Sequence, residues 1–325
     1  MEAKDQYRAC VEGLRSFMAD AGFSDAVVGL SGGMDSSVVA VMCVDALGAD
    51  HVHGVLLPGP YSSAHSVEDA EALARNLRID VSTVSIVEPY EAFARTLAFA
   101  CGGALAGLAA ENTQARCRMV CLMALSNAHG WMLVNTGNKS EAYTGYSTLY
   151  GDTAGAFAPI GGLYKTDVYA VARWRNGEEG MREYVSRRPS DADVPRGSER
   201  ETRAAALEAA SGGREGDALG EAGGVVSCAL PSGSLNAVPP IPERVFAKPP
   251  SAELAPGQED ERSLGVDYAT LDALLHAHVE RGLGVEALVG EGFDEALVKR
   301  VLSRAAATAF KRALEPPAPD AKFYG

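Results

Sequence analysis

The first half of the chain alternates short apolar runs with longer stretches in which apolar positions recur every three or four residues. The helical spacing at 5–18 predicts a first helix, and the apolar run at 26–28 predicts a first strand. The same patterns predict strands at 53–57, 81–84 and 131–134, and helices at 38–44, 66–77 and 111–128. Strands that alternate with helices are typical of a parallel sheet. The pattern therefore predicts an α/β fold, a doubly wound parallel sheet with flanking helices.

A loop rich in glycine and serine joins the first predicted strand to the next helix. Gly32 and Gly33 lack the Cβ atoms that keep a backbone away from an anion, so their N–H groups can converge on phosphate oxygens at a helix N-terminus. Asp35 would repel phosphate unless a divalent cation lay between them, which predicts Mg²⁺ bound with a nucleotide. A simple turn also uses glycine and serine, but the preceding strand and the Asp-Ser that follows favour phosphate binding.

Composition restricts the class of protein. The chain has 325 residues, of which 47% are hydrophobic, and no apolar run reaches the length of a membrane span. The N-terminus does not resemble a signal peptide, and six cysteines at irregular spacing show no disulfide framework. We therefore expect a cytoplasmic protein with no membrane partner. The net charge of −14 disfavours nucleic acid as a partner.

The loop Ser-Gly-Gly-Met-Asp-Ser at 31–36 resembles the signature of the ATP pyrophosphatase (PP-loop) group, which has the adenine nucleotide alpha hydrolase-like fold. Four further motifs resemble NAD synthetases, most closely the synthetase domain of the glutamine-dependent enzymes. They are Glu-Asn-Thr-Gln-Ala-Arg-Cys-Arg-Met at 111–119, Asn-Thr-Gly-Asn-Lys-Ser-Glu at 135–141, Thr-Leu-Tyr-Gly-Asp at 148–152 and Lys-Pro-Pro-Ser-Ala-Glu-Leu at 248–254. The resemblance covers nearly the whole chain except for one insertion.

The resemblance implies a carbon–nitrogen ligase that amidates deamido-NAD to NAD. In that family the nicotinate carboxylate attacks the α-phosphate of ATP, pyrophosphate leaves, and ammonia then displaces AMP. A carboxylate is already ionised at neutral pH, so the enzyme must chiefly hold two anions together and neutralise charge. The implied ligands are ATP, Mg²⁺, deamido-NAD and ammonia. A homodimer is also implied, because the family builds its substrate site across a subunit interface.

The same resemblance assigns roles to individual residues. Asp35, Glu141 and Lys165 are implied to be catalytic, with Asp35 and Glu141 as Mg²⁺ ligands and Lys165 offsetting triphosphate charge. ATP contacts are implied for Gly29, Leu30, Ser31, Gly32, Gly33, Met34, Asp35, Ser36, Ser37, Thr136, Lys165 and Ser251. Deamido-NAD contacts are implied for Asn112, Arg116, Glu141 and Lys311. Arg118 lies two residues beyond Arg116, so the two point to different helix faces.

Structural explanations compete with these roles. Thr136 fits a strand-to-helix turn, Lys165 a solvated position at a helix start, and Glu141 a first-turn acid favoured by the helix dipole. Other PP-loop amidating or thiolating enzymes, such as a GMP synthetase ATPase domain or a tRNA-modifying synthetase, are alternatives, although the acidic charge disfavours tRNA. A non-catalytic nucleotide-binding subunit is a third possibility, but it has no need of all three charged groups together.

Two features depart from the family pattern. The segment 176–240 is rich in Gly, Ala, Ser, Glu and Arg where the family has a short connection, so we expect a flexible insertion within a single domain, 1–325, with one polar helix at 199–210. Glutamine-dependent members carry an amidase before the synthetase domain, and about two dozen residues precede the first strand here. We expect free ammonia, a separate amidase subunit, or a longer parent protein to supply the nitrogen.

Overall fold

Four parallel strands form the centre of the fold in a computed structural model that describes residues 1–186, 225–226 and 238–325. The strand β1 (Ala26–Gly29) lies between β2 (Val52–Leu56) and β4 (Met132–Leu133), and β3 (Asp80–Thr83) follows β2. A two-residue strand, β5 (Val225–Val226), pairs antiparallel with β3 at the edge. The parallel α/β sheet predicted from the sequence is confirmed, and the antiparallel edge strand is an addition.

Helices connect the strands in the predicted order. The first eight are α1 (Ala3–Asp20), α2 (Met34–Leu47), α3 (Ala64–Leu77), α4 (Val87–Leu97), α5 (Gly107–His129), α6 (Lys139–Thr144), α7 (Lys165–Asn176) and α8 (Glu178–Ser186). A 3₁₀ turn, Ala49–His51, precedes β2. After β5 come α9 (Glu243–Ala247), α10 (Asp260–Leu264), α11 (Tyr268–Val279), α12 (Val285–Gly290), α13 (Glu295–Ala307) and α14 (Ala309–Arg312). The four predicted helices within the described residues all begin earlier than expected, α1 and α3 by two residues and α2 and α5 by four. Because α2 begins at Met34, Asp35 lies in its first turn.

The sheet is covered on both faces, as a doubly wound fold requires. Val27 and Val28 point to opposite sides of β1. Val28 packs in a core with α1, α2 and α7, whereas Val27 packs in a smaller core with α5. Because α2 lies between the sheet and the outer helices, it is apolar on nearly every side and almost completely buried. This packing fixes the start of α2, and with it the glycine-rich loop.

The helices after α10 form a separate apolar cluster beside the sheet. Leu271, Leu274 and Leu275 of α11 are fully buried there, and Tyr164, just before α7, belongs to the same cluster. The cluster therefore packs against the starts of α6 and α7, which carry Glu141 and Lys165. In the part of the chain that the structure describes, none of the helices has the length and apolarity needed to cross a membrane.

Part of the predicted flexible insertion is an ordered helix. Within 176–240, α8 places the Tyr184 ring 5.4 Å from the Tyr7 ring, edge to face. Arg8 donates two hydrogen bonds to the carboxylate of Glu183, at 2.9 and 2.6 Å. These contacts attach α8 to α1, a pairing that a compositional argument does not detect. The predicted helix at 199–210 lies outside the described residues, as does most of the predicted insertion.

Candidate active site

The glycine-rich loop ends at the N-terminus of α2, with Gly33 as the N-cap residue. The hydroxyls of Ser31 and Ser36 lie 2.9 Å apart, and Ser31 Oγ accepts the Gly33 N–H at 3.2 Å. Ser36 Oγ in turn donates to the Gly33 carbonyl at 3.2 Å. These bonds hold the loop in a fixed shape beside the first-turn N–H groups of α2. A helix N-terminus of this kind favours a bound anion.

A cavity of about 420 Å³ opens at the carboxyl ends of the strands. Its walls come from the loop after β1, the segment after β4, α5, α6, the start of α7 and the segment 248–260. Ligand sites of α/β sheets are found at this edge. The cavity brings together most of the residues proposed from the sequence: Gly29, Leu30, Ser31, Gly33, Met34, Asp35, Ser36, Asn112, Thr136, Glu141, Lys165, Ser251 and Lys311.

Lys165 is the centre of charge in the cavity. Its ammonium group donates to the carboxylate of Asp35 and lies 3.3 Å from Glu141 Oε1, and its side chain is only 3% exposed. Burial opposes the charged form of this lysine, but the carboxylates of Asp35 and Glu141 outweigh it and raise the pKa of Lys165 well above its usual value. Lys165 is therefore a buried, permanently charged group and not a solvated lysine at a helix start.

The surroundings of Glu141 shift the pKa of its carboxyl group. Burial, together with the nearby charges of Asp35 and Asp260, raises the pKa of Glu141 to about 8, although Lys165 acts in the opposite direction. The side chain therefore binds a proton near neutral pH unless a further cation is present. This is the behaviour expected of a carboxylate that awaits a positive ligand.

Two polar residues align the helices that carry these charges. The Ser140 hydroxyl donates to Asp272 Oδ1 at 2.5 Å and accepts the backbone N–H of Lys165 at 2.8 Å. The other oxygen of Asp272 accepts the backbone N–H of Thr166 at 2.8 Å. Asp272 and Ser140 thus satisfy the free N–H groups at the start of α7 and join that helix to α6. Both side chains are buried.

Asn138 was not among the site residues proposed from the sequence. Its Oδ1 accepts the Glu141 N–H at 3.0 Å and so caps α6, while its Nδ2 donates to Asp35 Oδ1 at 3.1 Å. One amide therefore connects the first turn of α2 with the helix that carries Glu141. The sequence does contain a signal for it, because Asn followed three residues later by Glu is a common pattern at a helix start.

The second part of the cavity contains the residues assigned to the dinucleotide. Asn112 Oδ1 accepts a hydrogen bond from the Thr148 hydroxyl at 2.8 Å. Lys311 Nζ donates to the carbonyls of Gly145 and Ser147, at 2.8 and 2.6 Å. Burial raises the pKa of nearby Asp152 to about 6, although the Thr148 N–H, which donates to it at 2.5 Å, acts against that rise. Lys311 therefore joins α14 to the end of α6 as well as facing the cavity.

Gly32 and Ser37 do not line the cavity. Gly32 has a φ of +73°, and a Cβ atom there would lie 2.1 Å from the Ser66 carbonyl oxygen. Glycine is therefore needed for the close approach of the loop to α3. The Ser37 hydroxyl donates to the Gly33 carbonyl at 2.7 Å and is buried. A direct contact of either residue with ATP stays a prediction.

The two arginines of α5 face different ways, as their spacing indicates. Arg116 is exposed, donates to the Leu149 carbonyl at 3.1 Å and does not line the cavity. Arg118 does line it, and its Nε donates to the Leu57 carbonyl at 3.0 Å. Burial lowers the pKa of Arg118. Within the described residues no carboxylate pairs directly with this guanidinium, which suits it to an anion in the cavity.

The sheet, the anion-binding loop and the lysine between two carboxylates define a nucleotide-binding protein of the PP-loop class. The family model described as NAD synthase matches residues 6–204 and 231–315, which together make up most of the sequence. The chain belongs to this family.

Relatives and solved structures agree with this assignment. The chain is 38% identical over 309 residues to the glutamine-dependent NAD(+) synthetase of Thermotoga maritima, covering 95% of this chain and 44% of that protein. A glutamine-dependent NAD+ synthetase from Acinetobacter baumannii, solved in complex with ADP, is 30% identical with a TM-score of 0.57, over 96% of this chain and 45% of that one. The NH3-dependent NAD synthetase from Campylobacter jejuni is 23% identical with a TM-score of 0.63 over 96% of both chains, and shares the fold. The chain spans about half the length of the curated relatives it matches.

Proposed function

We propose that this protein amidates deamido-NAD to NAD in an ATP-dependent reaction. The observation that carries the proposal is the placement of Lys165 between Asp35 and Glu141, beside the anion-binding N-terminus of α2. In this reaction the nicotinate carboxylate attacks the α-phosphate of ATP and pyrophosphate departs. Ammonia then attacks the carbonyl carbon of the adenylate and AMP departs. The family and the ADP complex of a relative support ATP as the nucleotide.

The buried charges match the demands of the first step. Two anions must approach each other, and negative charge builds up on the departing pyrophosphate. The ammonium of Lys165 offsets that charge, and because its side chain is buried, its effect is stronger than that of a surface lysine. The backbone N–H groups at the start of α2 bind the pyrophosphate through hydrogen bonds, with no proton transfer. We assign Thr136 and Ser251, which line the same wall, to the nucleotide.

Mg²⁺ fits the residues present as a partner of the nucleotide. Mg²⁺ usually binds one or two carboxylates together with substrate phosphates. Asp35 and Glu141 supply two carboxylates beside the loop, and burial raises the pKa of Glu141 even with Lys165 beside it. Within the described ranges, no group of three or more acidic, histidine or cysteine side chains could hold a metal alone. Bound there, Mg²⁺ would stabilise charge on the phosphates.

A homodimer is part of the proposal. The helix α4 has no buried residue, and Phe93, Leu97 and Phe99 in and after it are 49%, 37% and 99% exposed. On α5, Leu108 is 72% exposed and also lines the cavity, and Val120 is 65% exposed. An apolar surface of this kind, continuous with a ligand site, suits a second copy of the chain. Deamido-NAD would then contact Asn112 and Lys311 close to that interface.

The nitrogen donor is the second substrate to be identified. We propose that the chain accepts ammonia directly, and that an amidase on a separate subunit can supply it, because the matched relatives are named glutamine-dependent. We place the enzyme in the reducing cytoplasm. Cys10 and Cys43 are free and buried, which agrees with that setting.

The test is NAD formation from deamido-NAD, ATP and Mg²⁺, with either ammonium or glutamine as nitrogen source, while AMP and pyrophosphate are followed. NAD formed with ammonium alone supports the proposal. Pyrophosphate released without NAD would indicate that a partner must deliver ammonia. A folded protein that binds ATP but turns over with neither donor would favour another PP-loop reaction or a non-catalytic subunit.

A further inference from the structure

A third carboxylate lies near Lys165 and has no assigned role. Asp260 begins α10 and lines the cavity, although its residue surface is only 5% exposed. Burial raises its pKa, whereas the charge of Lys165 acts to lower it. Asp35 and Glu141 contact the ammonium group of Lys165, and Asp260 lies close enough to be influenced by its charge. The lysine and a nucleotide-bound Mg²⁺ account for Asp35 and Glu141, which leaves Asp260 without a cation.

The free oxygen of Asp260 marks the place of a small ligand. Its Oδ1 is buried and has no hydrogen-bond partner among the described residues. Buried carboxylate oxygens without a partner are costly and rare in native proteins. The hydroxyl of Tyr268 is also buried without a hydrogen-bond partner among the described residues, and the ring of this tyrosine lies 5.3 Å from Lys165 Nζ. The two unpartnered polar atoms therefore belong to a cavity-lining residue of α10 and to a residue of α11 whose ring packs near Lys165.

Tyr146 provides a third polar group at this position. Its hydroxyl accepts a hydrogen bond from Gln258 Nε2 at 3.4 Å, and both residues line the cavity with Asp260. Burial and the charge of Asp260 both contribute to raising the pKa of Tyr146 to about 12, so its hydroxyl stays protonated. A carboxylate acceptor flanked by phenols suits a compact cation that carries several N–H donors.

We propose that Asp260 binds the ammonium ion that supplies the amide nitrogen. The inference rests on the proposed function, and it assigns the nitrogen subsite to the first residue of α10. The backbone N–H of Asp260 donates to the Pro250 carbonyl at 3.0 Å, which fixes the start of α10 against the cavity wall. Asp260 thereby contacts the nitrogen substrate, whereas Asp35, Glu141 and Lys165 serve the phosphates.

The carboxylate also accounts for the proton that ammonium must lose. Ammonium has no lone pair, so one N–H bond breaks and its proton passes to Asp260, which leaves ammonia. The nitrogen lone pair then forms the C–N bond at the carbonyl carbon of the adenylate. The bond from that carbon to the phosphate oxygen breaks, and AMP departs with the electron pair. A second proton leaves the nitrogen for the phosphate of AMP, so the products are the amide, AMP and a protonated Asp260.

The experiment compares two nitrogen nucleophiles in Asp260→Asn, which keeps the shape of the side chain but removes its charge. With the full chain, deamido-NAD, ATP and Mg²⁺, we expect the KM for ammonium to rise by about tenfold or more, because a hydrogen bond between charged groups is lost. Hydroxylamine is already uncharged at neutral pH and does not have to lose a proton before it attacks. The KM for hydroxylamine should therefore change by less than about threefold. Pyrophosphate release in a single turnover without a nitrogen donor should be unchanged.

Glu259→Gln is the matched control, because Glu259 is adjacent, exposed and pairs with Arg262 on the surface at 3.1 Å. It should leave the KM for ammonium unchanged. If Asp260→Asn does not fold, Tyr146→Phe replaces it and should raise the same KM, less strongly. An unchanged ammonium dependence, an equal loss with hydroxylamine, or a loss of pyrophosphate release would each overturn the inference. A wild-type protein that makes no NAD would instead refute the proposed function.

Discussion

Lys165 Nζ and Glu141 Oε1 lie 3.3 Å apart although the two residues belong to different helices. The contact depends on Ser140, which precedes Glu141 and receives the backbone N–H of Lys165, and on Asp272, which receives the Ser140 hydroxyl. A buried hydrogen-bond network therefore sets the charge geometry of the cavity.

The first prediction concerns this network. In Ser140→Ala, the Lys165 N–H and Asp272 Oδ1 each lose a partner, and α7 moves relative to α6. We expect kcat to fall by about tenfold or more while the KM for ATP changes little, because a misplaced catalytic group costs rate. Steady-state kinetics measure both quantities. Ser140→Thr keeps a hydroxyl and should restore most of kcat; equal kcat values for the alanine and threonine variants would contradict the positioning role.

The second prediction concerns the charge itself. Lys165→Met removes the only ammonium group that contacts Asp35 and Glu141 within the described residues. We expect the rate of pyrophosphate release to fall by about 10²–10³-fold, the usual effect of losing one stabilising group in a transition state. Lys299→Met is the control, because Lys299 is exposed and pairs only with Glu295 one helical turn away. Comparable rates in the two variants would show that Lys165 has no part in the reaction.

The third prediction follows from the raised pKa of Glu141. Its pKa is about 8 in the folded protein and 4.5 in the unfolded reference, so the folded state holds the proton more tightly. The contribution of Glu141 to the free energy of unfolding is therefore full below pH 4.5 and is lost as the pH rises through about 8. Glu141→Gln lacks this term. Urea unfolding without nucleotide should show that the free energy of unfolding of the wild type falls relative to that of Glu141→Gln as the pH rises over that range. A difference between the two proteins that stays constant with pH would argue against the raised pKa.

The fourth prediction is that Gly32 and Gly33 have different roles, Gly32 in stability and Gly33 in ATP binding. Gly32→Ala places a methyl group 2.1 Å from the Ser66 carbonyl oxygen at a φ of +73°. We expect the free energy of unfolding to fall by about 1–3 kcal/mol or more. In Gly33→Ala the new methyl meets only Ser31 Oγ, at 3.3 Å, and φ is −96°. That variant should keep its stability and bind ATP more weakly, since Gly33 lines the cavity. Similar stabilities for the two variants would refute this account of the loop.

The sequence predicts the sheet well because local signals and tertiary structure agree there. Apolar runs such as 26–28 are buried on both sides, so their composition alone indicates a strand. The start of α2 at Met34 was placed four residues too late, because the glycines and hydroxyls before Val38 resemble a turn. Helix α8 was missed since its contacts are with α1, far away in the chain.

The sequence motifs and the family resemblance identified some residues of the site but not others. Lys165, Glu141 and Asp35 come from three separated segments, and the structure brings them together as the resemblance implied. Asp260 was not proposed, because an acid at a helix start ordinarily serves the helix dipole. Asp272 was not proposed, because the burial of a polar side chain inside a helix is invisible in the sequence. Such positions depend on the packing of α10 and α11 against α6 and α7.

Activation of the nicotinate carboxylate by ATP can be tested by following one oxygen atom. Deamido-NAD carrying a heavy oxygen isotope at both oxygens of its nicotinate carboxylate is converted with ATP, Mg²⁺ and ammonium, and the released AMP is analysed by mass spectrometry. If the carboxylate attacks the α-phosphate held beside Lys165, one labelled oxygen appears in the phosphate of AMP for each NAD formed. Label in inorganic phosphate instead, or AMP without label while NAD accumulates, would contradict the account.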